Sequence, residues 1–304
     1  MLKISRIFLC AVVALSFIAC NTNSEQKSEP FKYIQAPQFL KGAEATNYMA
    51  RNFWKNYTSN TDSISLEDAS LVFVRLLLSA EEKYLNKALE NAFAIADSVA
   101  VRGDKRLVLK LVSDAEKFFY HPNSPYLNEE VYLEYLKNYL KAKGVSDLDK
   151  MAYQYQYNLC SLNRVGTVAS DFEYKALEKG GEYKIARMHS IKGDYTLLFF
   201  NNPDCPACEE IKNMLRESNV MNLVKKGRVK VLAMYIDNEL DVWQNRRDTY
   251  PKEWIYAHDP NHILNENELY GLRAIPSLYL LDKEKRVILK DAPVEIVIEY
   301  LNTI

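Results

Sequence analysis

Tyr195-Thr-Leu-Leu-Phe-Phe-Asn-Asn-Pro-Asp-Cys-Pro-Ala-Cys-Glu-Glu-Ile-Lys-Asn-Met-Leu215 joins an apolar run to a pair of cysteines in the second half of this chain. Its first part, Thr196 to Asn201, is a short apolar run suited to a strand buried on both faces. The second part, Cys205-Pro206-Ala207-Cys208, follows the strand directly and opens a helix. Two cysteines three apart at a helix N-terminus can close a small disulfide ring. The first sulfur is the more exposed, and it faces the unpaired N–H groups and partial positive charge of the helix end, which favour a thiolate. A thiolate attacks a disulfide, and a second thiol nearby resolves the mixed intermediate. The spacing therefore suits reversible dithiol exchange, with Cys205 attacking and Cys208 resolving. A structural disulfide without turnover is the plain alternative. Zinc would need two further ligands, and Cys160, His189, His258 and His262 are scattered, so no metal site is expected.

Further along the chain, Val229 to Ile236 and Ser277 to Asp282 are apolar runs as well, and helical patterns cover Cys208 to Asn219 and Val294 to Leu301. Strands alternating with helices argue an α/β domain. With these pieces in place, Tyr195 to Cys208 and the following helix resemble the active-site segment of the thioredoxin superfamily. Tyr270-Gly-Leu-Arg-Ala-Ile-Pro-Ser-Leu-Tyr-Leu-Leu-Asp282 resembles its second signature. The opening Val165-Gly-Thr-Val-Ala-Ser-Asp-Phe172, and the long piece from Asp237 to Tyr270 with Trp243 and Trp254, are similar to the extracytoplasmic, membrane-tethered branch.

The resemblance implies a thioredoxin-like domain with a central mixed sheet flanked by helices. It also implies a cis bond at Ile275–Pro276, against the dithiol, where the backbone of Ile275 pairs with substrate. X–Pro bonds are nearly the only ones that adopt cis cheaply. The sequence departs from the family pattern at three places. Asp204 stands where tryptophan is usual, and Phe199 stands six residues before Cys205, where many members bury an acid that relays protons to the resolving thiol. Glu209 and Glu210 follow the second cysteine, where a basic residue is common. The three acids are expected to oppose a thiolate at Cys205.

The first half has another texture. From about residue 40 to 162 apolar residues recur at three-and-four spacing: Leu66, Ala69, Phe73, Leu76 and Leu77, then Leu85 to Ala96, Leu107 to Phe119 and Val131 to Leu140. Ser65-Leu-Glu-Asp and Ser79-Ala-Glu-Glu have the form of capping boxes. His121-Pro122-Asn123-Ser124-Pro125 breaks the pattern as a turn, and His121 is expected to be a turn residue without a second ligand. Tyr153, Tyr155 and Tyr157 alternate as in a strand, but Gln154 and Gln156 favour a helix from Met151 to Leu162. About six helices make an all-α bundle. Its turn motif resembles an uncharacterised helical domain fused to such thioredoxin-like domains in bacterial lipoproteins, which implies an architecture and no activity.

The N-terminus carries Lys3 and Arg6 without an acid, then an apolar run from Ile7 to Ala19. Thirteen helical residues reach about 20 Å, short of a hydrocarbon core of about 30 Å, so the run is expected to be a signal peptide and not a span. It ends Leu15-Ser-Phe-Ile-Ala-Cys20, which resembles a bacterial lipobox and implies acylation of Cys20 and a membrane anchor facing the extracytoplasmic side. Simple cleavage with Cys20 a bystander is the alternative. The expected divisions are 1–20 signal peptide, 21–32 flexible tether, 33–162 helical domain and 163–304 thioredoxin-like domain.

Composition agrees with two globular domains: 304 residues, 48% hydrophobic and 26% charged. Lys plus Arg number 39 against 40 for Asp plus Glu, which leaves no basic excess for a nucleic-acid partner. Five cysteines are too few for a disulfide scaffold. Cys160 is expected to be a buried small residue, though an unpaired thiol in an exported chain is also a site for a mixed disulfide. The expected function is thiol–disulfide exchange on protein substrates, as a reductase, fed by an electron donor in the cell envelope and needing no cofactor beyond the Cys205–Cys208 pair. The competing class is a non-catalytic envelope lipoprotein, whose helical domain binds a partner and whose thioredoxin-like domain is a scaffold. Reaction of Cys205 with a thiol reagent separates the two.

Overall fold

The structure is a computed structural model that describes residues 28–178 and 181–304. The apolar run at 7–19, Cys20 and residues 21–27 of the expected tether lie outside the described residues. No helix among the described residues is long and apolar enough to cross a membrane.

The helical domain contains α1 (Gly42–Asn52), α2 (Ser63–Ser79), α3 (Glu82–Ala100), α4 (Arg106–Ala115), α5 (Glu129–Lys141) and α6 (Asp147–Cys160). The apolar stripes close on one core, with Phe73, Leu89, Ala96, Leu111, Phe119, Tyr135 and Leu136 all buried. Tyr153, Tyr155 and Tyr157 lie in α6, so the glutamines between them prevail over the alternation.

Two expectations are corrected here. Residues 29–32 do not belong to the tether. The Glu29 N–H donates to the Asn60 carbonyl (2.7 Å), the Asp62 N–H donates to that of Glu29 (2.9 Å), and Phe31 is buried against Phe53 and Trp54. One aromatic residue in a polar stretch supplies the apolar area that pins it. The capping boxes also fail. The cap of α2 is Asp62, whose carboxylate accepts from the Ser65 N–H (2.8 Å) and hydroxyl (2.9 Å). Ser79 is the last residue of α2 and bonds back to the Arg75 carbonyl, and α3 starts at Glu82 with no side-chain cap.

The C-terminal domain is built on seven strands: β1 (Glu173–Leu177), β2 (Tyr183–Arg187), β3 (Tyr195–Asn201), β4 (Val229–Tyr235), β5 (Ile255–His258), β6 (Ser277–Leu281) and β7 (Val287–Leu289). Their order is β2-β1-β5-β4-β3-β6-β7. The centre is parallel, β3 with β4 and β4 with β5, and the flanks are antiparallel, which makes the sheet mixed. Helices α7 (Pro206–Glu217), α8 (Val220–Lys225), α9 (Leu240–Asn245), α10 (Ile263–Glu266) and α11 (Val294–Asn302) complete it.

Side chains alternate along β3 as the pleat requires. Leu197 and Phe199 point into one core with Leu215 of α7 and Val297 of α11; Leu198 and Phe200 point into another with Phe172, Met188 and Tyr270. Central β3 is thus covered on both faces, and its C-terminal end delivers the chain directly into the dithiol turn.

The domains are joined by charges at a largely buried seam. The Arg273 guanidinium meets Glu129 at 2.9 Å and Asp291 at 2.8 Å and lies 4.3 Å from the centre of the Tyr120 ring. The Lys290 ammonium meets Glu129 at 2.7 Å and donates to the carbonyls of Cys160 and Leu162. At the edge, Arg164 pairs with Glu130 and the Tyr155 hydroxyl donates to Glu268.

Candidate active site

Cys205 caps α7, and Pro206 follows in its first turn. The Cys208 N–H donates to the Cys205 sulfur at 3.4 Å, which holds the first sulfur against the turn that carries the second. They differ in access, because Cys205 is partly exposed and Cys208 is 1% exposed. Asn202 shapes the turn before them. Its side-chain oxygen accepts from the Asp204 N–H (2.8 Å), its carbonyl accepts from the Cys205 N–H (3.1 Å), and its amide donates to Asp237 at the end of β4 (2.6 Å).

Burial pushes the Cys208 thiol up to about 12, and the nearby Cys205 and Asp237 act in the same direction while the Asn202 N–H opposes them. Burial costs the charged thiolate its hydration, so the buried sulfur keeps its proton at neutral pH. The linkage follows from that direction. The folded dithiol form holds this proton up to about pH 12, while the unfolded chain releases it from about 8.5, the ordinary thiol value. The contribution is complete below about pH 8.5 and is lost as pH rises toward 12. We expect iodoacetamide at pH 8 to modify Cys205 at least about a hundredfold faster than Cys208. Quenched mass spectrometry before and after unfolding measures both rates, and equal rates contradict the assignment of roles.

The acids around the pair have partners. Arg246 holds Asp204 at 2.8 Å, and Lys212 holds Glu209 at 2.5 Å. The Lys212 side chain is buried, with its ammonium 4.7 Å from the centre of the Tyr250 ring, and the Tyr250 hydroxyl donates to Asn201 at 2.6 Å. The expected opposition of Asp204 and Glu209 to a thiolate is therefore largely offset by paired cations, and Glu210 faces solvent. Lys212 was accessible to sequence reasoning, being one turn from both Glu209 and Cys208. Arg246 was not, because it reaches Asp204 from 42 residues away. Phe199 is buried in β3 and no acid stands in its place.

Ile275–Pro276 is a cis bond, as the resemblance implies. The Ile275 side chain packs against the same core as Cys205. Neither the N–H nor the carbonyl of Ile275 meets a hydrogen-bond partner among the described residues. Cys160 is buried, and burial pushes its thiol up to about 12, which suits packing better than exchange. His258 and Asp259, adjacent in sequence, are occupied structurally: the His258 ring lies 4.4 Å from that of Trp243, and Asp259 accepts from the Asn261 and Leu264 N–H groups. Among the described residues no three His, Cys, Asp or Glu side chains converge as metal ligands.

A strand-to-helix dithiol on a mixed sheet, with a cis-proline turn packed on the same core, defines a thioredoxin-like protein. Comparison with known proteins agrees, and the chain belongs to the thioredoxin-like family. A domain of unknown function, DUF5106, matches residues 17–163, and the AhpC/TSA family matches residues 165–290. The crystal structure of a thioredoxin-like protein from Bacteroides caccae is 30% identical, with a TM-score of 0.79, over 90% of this chain and 99% of that one. The C-terminal domain of an uncharacterized protein from Bacteroides fragilis is 42% identical over 46% of this chain and 98% of its own, with a TM-score of 0.43. The thioredoxin domain of a thiol-disulfide oxidoreductase from Bacteroides vulgatus is 17% identical over 46% of this chain and 96% of its own, with a TM-score of 0.39. No curated protein matches the chain.

Proposed function

We propose that this chain is an extracytoplasmic thiol–disulfide oxidoreductase that reduces protein disulfides with the Cys205–Cys208 pair. The observation that carries the reading is the asymmetry of that pair: one sulfur is reachable and caps a helix, and the other is buried, protonated and one helical turn away. In this reading the Cys205 thiolate attacks a substrate disulfide, forms a mixed disulfide and releases one substrate thiol. Cys208 gives up its proton and attacks Cys205, which frees the second substrate thiol and leaves the Cys205–Cys208 disulfide. Two electrons pass to the substrate, and an envelope donor returns them. Ile275, beside Pro276, offers its free backbone groups to the substrate chain, and Ala207 between the cysteines keeps the approach open. Export through the segment at 1–20 and acylation of Cys20 place the site outside the cytoplasm, tethered to a membrane by two or more acyl chains.

The test is turnover. With dithiothreitol as donor, the mature chain is expected to speed reduction of a disulfide-bonded protein substrate, and Cys205→Ser is expected to return the rate to that of dithiothreitol alone. A wild-type rate no better than dithiothreitol contradicts the proposal.

A further inference from the structure

A cleft of about 480 Å³ opens between the two domains at the Ile275–Pro276 turn, and the exchange chemistry alone does not require it. Its volume falls within the range of roughly 300–1,000 Å³ of pockets that bury small ligands, enough for one or two large side chains. One wall is formed by Ile211, Ala274 and Pro276 of the thioredoxin-like domain. The other is formed by Pro122, Pro125 and Leu127, in the turn between α4 and α5 of the helical domain. Ile211 lies three residues beyond Cys208 on α7, so the cleft begins one helical turn from the dithiol.

The charged groups that reach this cleft are already matched. Glu129 is shared by Arg273 and Lys290, and Asp291 is held by Arg273 and by the Ser277 hydroxyl. A charged guest would have to compete with these contacts; Glu130 is paired with Arg164, Ser124 and Asn128 are bonded within their own turn, and most of the remaining lining is apolar. The free N–H and carbonyl of Ile275 can meanwhile bond an extended chain laid along the turn, as strand addition does elsewhere. We propose that the helical domain supplies the second wall of a substrate groove, and that the groove takes an extended substrate segment carrying a large apolar side chain next to its reactive cysteine. This inference rests on the dithiol reading above and assigns the helical domain a part in choosing substrates.

The experiment uses the mature chain with Cys208→Ser and two symmetrical disulfide-linked peptide dimers. They differ only in the residue after cysteine, leucine in one and the similarly shaped asparagine in the other. The Cys205 thiolate attacks one sulfur of the dimer, a Cys205–peptide disulfide forms, and one peptide thiolate leaves, so each adduct releases one free peptide. The leucine dimer is expected to react roughly tenfold faster, the discrimination a small apolar pocket delivers. Leu127→Asp in the same background is expected to bring the two rates within about threefold. Pro125→Asp tests the same wall at an exposed turn position, which keeps the result readable if Leu127→Asp fails to fold. Equal rates in the starting protein, or a preference that survives both wall variants, overturn the groove while leaving the dithiol reading intact. Absence of any adduct, with Cys205 also inert to iodoacetamide, overturns the dithiol reading and the groove with it.

Discussion

Cys208→Ser turns the protein into a trap: substrate proteins accumulate on Cys205 as mixed disulfides, and Cys205→Ser accumulates none. The expectation follows from geometry. The backbone N–H of Cys208 donates to the Cys205 sulfur, so the residue that carries the second thiol is held against the first, and a thiol held in that way resolves an adduct as an intramolecular reaction. Effective concentrations of well-placed intramolecular groups reach about 10⁵ M, against about 10⁻³ M external thiol, so the adduct lifetime can lengthen by up to about 10⁸-fold, and a lengthening of at least about 10³-fold is expected. Serine fills nearly the volume of the buried thiol and keeps the helix turn, so the variant should fold. Non-reducing gels of cell-envelope fractions, with mass spectrometry of the adducts, read the result. A folded Cys208→Ser chain that collects no adducts rules out substrate exchange through Cys205.

The second large effect is expected at the domain seam. Glu129→Ala removes the one carboxylate that faces both Arg273 and Lys290, whose side chains are 11% and 7% exposed. Arg273 keeps Asp291, and Lys290 keeps two carbonyls, so neither cation is stranded completely. Removing one partner from a buried ion pair costs about 3–5 kcal/mol, and the retained contacts place this variant at about 3 kcal/mol. Urea titration of the intact chain measures it. Lys290→Met added to Glu129→Ala should recover part of the loss, because it removes one of the charges left behind. A change below about 0.5 kcal/mol would mean that the seam is held by packing alone. Because Arg273 lies three residues before Pro276, loosening this seam should also relax any preference exercised by the cleft.

What the sequence made legible, and what it concealed, divides along physical lines. Strand β3 and helix α7 were readable because a continuous apolar run needs burial on both faces and a CxxC at a helix start has few uses. Helices α2 to α5 were readable because each has a long apolar stripe, and α6 because of its glutamines; α1 buries only Asn47 and Ala50 and carries no such signal. Strands β1 and β2 were not, since Glu173-Tyr-Lys-Ala-Leu177 and Tyr183-Lys-Ile-Ala-Arg187 are short, charged and at or next to the sheet edge. Strand β5 has only four residues and β7 only three, too few to establish a period. The cap of α2 was misplaced by three residues because Asp62 and Ser65 are both good cap types and only the backbone distinguishes them.

At the site, the pairing of Cys205 and Cys208 at the start of a helix was legible from spacing, but the electrostatics around them were not. Counting charges in sequence placed Asp204, Glu209 and Glu210 against a thiolate and missed the cations that answer two of them. Lys212 does so from within α7; Arg246 does so from the far side of β4 through α9. Nor could the sequence show that the His121–Pro125 turn, a loop in one domain, stands across a cleft from Pro276 in the other. That juxtaposition depends on Glu129, Arg273 and Lys290, residues that are ordinary surface types until they are brought together.

The central claim is that Cys205 and Cys208 form a redox pair that cycles in the folded protein. Its most direct test is equilibration of the mature chain in graded dithiothreitol buffers, with the thiol and disulfide forms counted after acid quenching and alkylation. The expected result is a single two-electron transition with the fold retained throughout, at a potential nearer to about −270 mV than to about −120 mV, as a reductant requires. A pair that opens only when the domain unfolds would contradict it and make the bridge a structural one. A potential near about −120 mV would keep the chemistry and reverse its direction.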